Sequence, residues 1–376
     1  MTPTPCLAKT TTFFQLLEQT PALDSRDNRG KVHSIALALS GLVLALCCGG
    51  DGKLSSLHRH MVNQFVPLCQ LTHQVNKRPI SRAQLPLLLA KVNGELFARL
   101  LFDWFGVSLE PGQKHWFALD GKDLRGSVEP GHTRGEACVS VLAHESEQIV
   151  GQAYYNGSKQ SEKPTVSQLL NDTGLYNQQL TLDALHLNPL IVNAINEAGG
   201  VYIIGLKANQ EQLYRYAICA TLVGSASYQR ADEPVRAHGR VEQRSYACFV
   251  VSQPALALRW QSSGLLTLIR VLPNRQGLQG GKPSEETSYF VSNSPAGSQS
   301  QADELFDALR QHWRIEAMHH VRDVTLSEDA LRTGKQSVEM VGFIGTPDLL
   351  NFARPCKHKI NPKTGVSTMP ILKPKC

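Results

Sequence analysis

The chain has 376 residues, 42% of them hydrophobic and 19% charged, which is enough apolar material for a real core and excludes a disordered chain. Lys plus Arg number 38 against 32 for Asp plus Glu, a formal charge of +6 that permits a nucleic-acid partner without requiring one. The nine cysteines are scattered with no C-x-x-C pair, which argues against a zinc knuckle and for a reducing compartment, so a cytoplasmic protein is expected.

From Thr11 to about Gly106 the pattern is helical. Phe13, Phe14, Leu16 and Leu17 open an amphipathic segment that ends in the polar run Asp24 to Gly30. The most apolar stretch, Ile35 to Cys48, falls short of the roughly 20 residues a membrane span needs, so it reads as a buried core helix and no membrane partner is expected. Leu57 to Phe65 and Ser81 to Leu101 continue the helical pattern. His58, Arg59 and His60 read as a polar helix face. Ser81-Arg82 reads as a helix start that is either simply capped or suited to a phosphate. These residues suggest a helical N-terminal domain over 1–106, a possible DNA-binding unit.

His115 to Leu119 is a short, mostly apolar strand, and Asp120 stands where a Gly121-Lys122 turn is expected. An acid there is either a rigidly placed metal ligand or an ordinary turn residue. Ala137 to Ala143 and Gln148 to Tyr155 read as a hairpin, and a helix starts at Ser161 with Pro164 in its first turn. Leu180 to Leu182 is a second apolar strand ending in an acid, Asp183. A helix over Pro189 to Ala198 and a strand over Val201 to Leu206 follow. Acids at the carboxyl ends of strands 62 residues apart in sequence can become neighbours in an α/β sheet, where ligands gather at such ends.

Between Lys207 and Ser300 the helical pattern fades into strands over Arg244 to Val251, Leu265 to Leu272 and Thr287 to Val291, a β-rich insertion at about 208–300. Lys207 with Asn209, and the run His238 to Arg244 that contains Arg240, are either nucleic-acid contacts or solvated loops. Ala302 to about Val324 then reads as one long helix with Leu305, Leu309 and Trp313 as its buried stripe. Glu316 lies one turn beyond that stripe, either functional or part of a solvated face.

Two strand-end acids and a later helical acid, split by an insertion, resemble the DDE transposases of bacterial insertion sequences, within them the ISAs family with its H-repeat-associated proteins. The resemblance is carried by Ala118-Leu119-Asp120-Gly121-Lys122, Leu124-Arg125-Gly126-Ser127, Asn156 to Glu162, and Thr181-Leu182-Asp183-Ala184-Leu185-His186. Lys207-Ala208-Asn209-Gln210, His238-Gly239-Arg240 and His312-Trp313-Arg314-Ile315-Glu316 complete it, and it spans about residues 13 to 335. It implies an α/β fold with a ribonuclease H-like catalytic core over 107–335 and a metal-binding triad of Asp120, Asp183 and Glu316. The implied cofactor is Mg²⁺, with Mn²⁺ as a substitute, and the partner is DNA, bound by a homodimer. Residues that would contact DNA are Lys122, Arg125, Lys159, His186, Lys207, Arg240 and Arg314. Ala317 stands where the family has Asn, and Gly342, Gly345 and Pro347 interrupt an expected last helix before an irregular basic tail over 336–376. These departures leave open a catalytically inactive remnant that binds DNA without cutting it.

Overall fold

The computed structural model describes residues 12–48, 54–74, 77–105, 112–125, 137–155, 159–237, 240–252, 258–277 and 286–325, together with 128, 133 and 135. The tail over 336–376, with Gly342, Gly345 and Pro347, lies outside the described residues.

The N-terminal third is helical: α1 (Phe13–Glu18), α2 (Ile35–Cys47), α3 (Leu54–Asn63), α4 (Phe65–Leu71), α5 (Gln84–Leu89) and α6 (Gly94–Phe105). The apolar stretch at 35–47 is α2, capped by Ser34, whose hydroxyl accepts from Leu37 N–H, and buried along nearly its whole length. A helix apolar on every side belongs at the centre of its unit. Leu39, Leu42 and Ala45 there join Leu17, Leu57, Leu85 and Phe97 in a core made only from α1–α6 and their connections. No described helix is long and apolar enough to cross a membrane.

The rest is a mixed α/β structure. Its strands are β1 (Trp116–Asp123), β2 (Ala137–Ala143), β3 (Ile149–Tyr155), β4 (Gln179–Leu182), β5 (Val201–Leu206), β6 (Tyr228–Ala231), β7 (Val235–Ala237), β8 (Arg240–Val250), β9 (Thr267–Gly277) and β10 (Ser288–Ser292). Its helices are α7 (Lys159–Thr173), α8 (Pro189–Glu197), α9 (Glu211–Val223), α10 (Gln299–His312) and α11 (Arg314–Thr325). The strands form one sheet in the order β3-β2-β1-β4-β5-β10-β9-β8-β6, with β7 also on β8. β1, β4 and β5 run parallel, and the other pairs are antiparallel. One face of the sheet, with Phe117, Leu119, Leu180 and Ile204, packs on α7, α8 and α9. The other carries α10 through Ile203, Cys248 and Ile269 against Leu305, Phe306 and Leu309.

Three sequence expectations change. The strand through Asp120 does not stop in a turn. It runs on to Asp123 because residues 121–123 find antiparallel partners on β2, so their backbone groups stay bonded after the pairing with β4 has ended. The helical pattern does not fade at once after Lys207: α9 buries Leu213, Ala217 and Thr221 at four-residue spacing, a stripe too small and too mixed with Tyr and Arg to stand out. The long helix over 302–324 is two helices that part at Trp313, whose ring carries the Arg244 guanidinium 4.2 Å above its centre. The β-rich segment after α9 belongs to the same sheet. Its strands extend the main sheet, because β10 pairs with both β5 and β9.

Candidate functional site

Register brings the first two acids together. The last parallel pair of β1 and β4 is Leu119 with Leu182, so the next residues on the two strands are Asp120 and Asp183. Alternation along β1 turns Phe117 and Leu119 into the α7 and α8 side of the sheet and leaves Ala118, Asp120 and Lys122 on the other. On that other side lies α11. Ile315 and Met318 pack on Ala118, Leu142 and Ile149, which holds Glu316 and His319 over the stretch of β1 that carries Asp120. One turn further, the Lys122 ammonium meets Asp323 at 2.6 Å, and the buried Arg322 guanidinium donates to Cys138 Sγ at 3.7 Å. Helix and strand are thus matched side chain by side chain.

The acids differ in setting. Asp120 is half-buried. Gly121 N–H donates to its Oδ1 at 2.9 Å, and its Oδ2 lies 3.4 Å from His319 Nδ1. Asp183 is exposed, with Lys207 Nζ 3.3 Å from its Oδ1. The Glu316 carboxyl is raised above its ordinary value, first by loss of hydration and then by the negative charge of Asp120; Asp183 adds to the rise, while His319 and Lys207 oppose it. The three carboxylates are therefore electrostatic neighbours. Among the described residues, no three His, Cys, Asp or Glu side chains are close enough together to hold one ion.

Beneath the acids lies a buried polar relay. Thr181, two residues before Asp183, donates its hydroxyl to Phe117 O at 3.2 Å, and its Oγ1 meets His144 Nε2 at 3.2 Å and His312 Nδ1 at 2.9 Å. With the hydroxyl proton committed to Phe117, both rings donate to the same oxygen. Desolvation holds both histidines neutral. His144 is lowered to about 3, with His312 and Arg314 adding to the fall; His312 is lowered against the opposing pull of Asp120 and Asp183. His312 is the last residue of α10, so this bond ties the α10–α11 junction to β4.

On the opposite face of β1, Gly121 admits a second cluster. A Cβ there would come within 2.9 Å of Glu162 Oε1 and 3.0 Å of the Tyr155 hydroxyl. Glu162 in turn accepts from His186 Nε2 at 3.1 Å, and the Tyr155 hydroxyl, raised chiefly by burial, bonds the same carboxylate.

The residues expected at DNA are placed unequally. Lys207 is exposed beside Asp183, and Arg314 is exposed and bonded to Glu147 in the β2–β3 turn at 2.7 Å. Arg125 is exposed at the end of β1. Lys122 and His186 are buried, one paired with Asp323 and the other with Glu162, so neither head group faces solvent. Lys159 opens α7 and Arg240 opens β8, both with side chains outside the described set; His238 and Gly239 lie outside it altogether. Sequence reasoning passed over His319 and the role of Glu162. His319 had a signal, since it stands three residues after Glu316 on one helix face, whereas Glu162 figured only in the Asn156 to Glu162 stretch of the resemblance, and its place against Gly121 had no local sign.

No protein-family model matches the chain. Similar proteins exist at low identity. "Putative transposase YncI" of Escherichia coli O157:H7 is 27% identical over 278 residues, which cover 72% of this chain and 70% of that protein. "H repeat-associated putative transposase YhhI" of Escherichia coli K12 is 24% identical over 240 residues, 62% of each chain. "Uncharacterized protein in dhlA 3'region" of Xanthobacter autotrophicus is 25% identical over 290 residues, 75% of this chain and 93% of that one. The chain therefore has distant relatives, at 24–27% identity, that carry the name of transposases.

Proposed function

We propose that this chain is a DNA transposase of the DDE type, with Asp120, Asp183 and Glu316 as its catalytic carboxylates and Mg²⁺ as its cofactor. The observation that carries the reading is the parallel pair Leu119 and Leu182, after which Asp120 and Asp183 lie side by side, with α11 docked over them bearing Glu316. The names of the relatives support the reaction. We read β3-β2-β1-β4-β5, with β2 antiparallel to both its neighbours, as a ribonuclease H-like core.

The residues present fit a hard divalent cation: three oxygen-donor groups, with Glu316 raised first by lost hydration and then by the charges of Asp120 and Asp183, which positive charge would offset. Asp120, Asp183 and Glu316 would hold the metal. When bound, a pair of such ions activates an attacking oxygen and stabilises the leaving one in an in-line displacement. The chain's own groups prepare the site. Gly121 N–H fixes one oxygen of Asp120, and the exposed Lys207 ammonium offsets Asp183 and is free to turn to a DNA phosphate. Arg314, exposed on the same helix as Glu316 and paired with Glu147, belongs to this reading as a further contact for the DNA backbone. Joining two transposon ends calls for two active sites, so a homodimer on DNA belongs to this reading.

The test is cleavage of a plasmid carrying the gene with its own flanking DNA, in Mg²⁺ or Mn²⁺. Wild type should cut at the flanks, and Asp120→Asn, Asp183→Asn and Glu316→Gln should each lose at least about 100-fold. Retained cutting removes that residue from the assignment. Salt-sensitive DNA binding with no cutting by wild type would favour an inactive remnant.

A further inference from the structure

Among the described residues, His319 is a buried group beside Asp120 that the triad does not use. It lies on α11 one turn after Glu316, and Ile315 and Met318 clamp that face of the helix on Ala118. The residue is only 9% exposed. Its Nε2 is buried and makes no hydrogen bond to any described residue, and its Nδ1 lies 3.4 Å from Asp120 Oδ2 without hydrogen-bonding to it. An N–H···O bond would settle at about 2.7–3.2 Å and in line, so this is not a hydrogen bond whose purpose is to hold the carboxylate. The spacing suits another arrangement: two donors each about 2.1 Å from one octahedral ion, at right angles, stand about 3 Å apart. The other oxygen of Asp120 is already occupied by Gly121 N–H, which leaves Oδ2 as the one turned toward the ring.

Resting on the carboxylate reading above, we propose that His319 Nδ1 is a ligand of the same divalent cation as Asp120 Oδ2, so that the centre takes mixed oxygen and nitrogen donors. Imidazole nitrogen favours first-row transition ions, whereas Mg²⁺ draws little from it. The site therefore takes Mn²⁺ in preference to Mg²⁺, and removing the ring narrows that preference. For Nδ1 to coordinate, the ring proton resides on Nε2. Among the described residues none hydrogen-bonds Nε2, so that tautomer is unopposed there.

The experiment uses the full chain loaded with Mn²⁺ and reads nitrogen coupling to the metal by pulsed electron paramagnetic resonance, in wild type, His319→Gln and His320→Gln. Mn²⁺ affinity is measured by calorimetry alongside. The expected result is a ¹⁴N coupling in wild type and His320→Gln that disappears in His319→Gln, where Mn²⁺ still binds but about 10–100-fold more weakly. Labelling wild type with ¹⁵N-histidine should replace the ¹⁴N signal by a ¹⁵N one, which tests imidazole ligation even if His319→Gln does not fold. Mn²⁺ bound with no nitrogen coupling, or a coupling that survives in His319→Gln, overturns the assignment of His319 and leaves the carboxylates standing. A wild type that binds no Mn²⁺ overturns both.

Discussion

Glu316 illustrates how a single residue can work against the stability of its own fold. Its carboxyl is raised by lost hydration and by Asp120 and Asp183, so the folded state binds its proton more tightly than the unfolded chain does. Whatever it contributes is present below its unfolded value and lost as pH rises through the folded one; at pH 7 the ionised group is a cost. Glu316→Gln should therefore abolish cleavage while leaving the melting temperature, without divalent ions, at or above that of wild type. A clear fall in that temperature would mean that Glu316 is a structural residue. His144 has the opposite sign. Its value drops from 6.5 to about 3, so the stability it supports is complete above pH 6.5 and is lost as pH falls from there toward 3. The slope is about 1.4 kcal/mol per pH unit for that one proton. Urea midpoints at pH 7 and pH 5 should differ in wild type, and the gap should shrink in His144→Gln to what His312, lowered for the same reason, leaves; equal midpoints in wild type would contradict the assignment.

The elements that matter most are β4 and the junction of α10 with α11. Thr181 takes both His144 and His312 on one hydroxyl, and His312 ends α10 just before α11 turns to bring Glu316 over β1. Thr181→Val keeps the shape and removes the oxygen, leaving two buried rings without their bonds at a cost of about 1–3 kcal/mol. The loss should show in denaturant midpoints and also in reduced cleavage, because the α10–α11 angle loosens. Reduced stability with unchanged cleavage would show that the relay does not position Glu316. Just past Asp183, Ala184 N lies 3.1 Å from where a Cβ on Gly205 would stand, so β5 approaches the turn after Asp183 closely enough that any added side chain would have to push it back slightly. Gly205→Ala should shift that turn and impair cleavage more than stability.

Across the whole molecule, the helical unit and the sheet keep separate hydrophobic cores, and the acids gather where β1 and β4 part beneath α11. If the chain binds DNA through groups such as Lys207 and Arg314, affinity should fall steeply with added salt, each neutralised phosphate adding about 0.9 to the slope of log affinity against log salt. Lys207→Ala should lower that slope by about 1, and an unchanged slope would remove Lys207 from the DNA surface. The large elements of this architecture were legible in sequence wherever burial was one-sided or complete. α2 announced itself as an unbroken apolar run, β4 and β5 as short apolar strands, and α10 by Leu305 and Leu309. α9 escaped notice because its stripe is made of Leu213, Ala217 and Thr221, residues too small or too polar to set a period.

Amino-acid order alone determined the mixed α/β class and the buried helix of the N-terminal third, because apolar periodicity is a local property; Asp120, Asp183 and Glu316 were singled out together by the family resemblance. Tertiary structure alone decided that Asp120 sits in mid-strand, since the partners of residues 121–123 come from β2. It decided that Lys122 and His186 turn inward, because Asp323 and Glu162, far away in sequence, are waiting for them. And it decided that His319 faces Asp120, since only the docking of Ile315 and Met318 on Ala118 fixes which side of α11 meets the strand. Pairing and facing are relations between distant segments, and no local pattern encodes them.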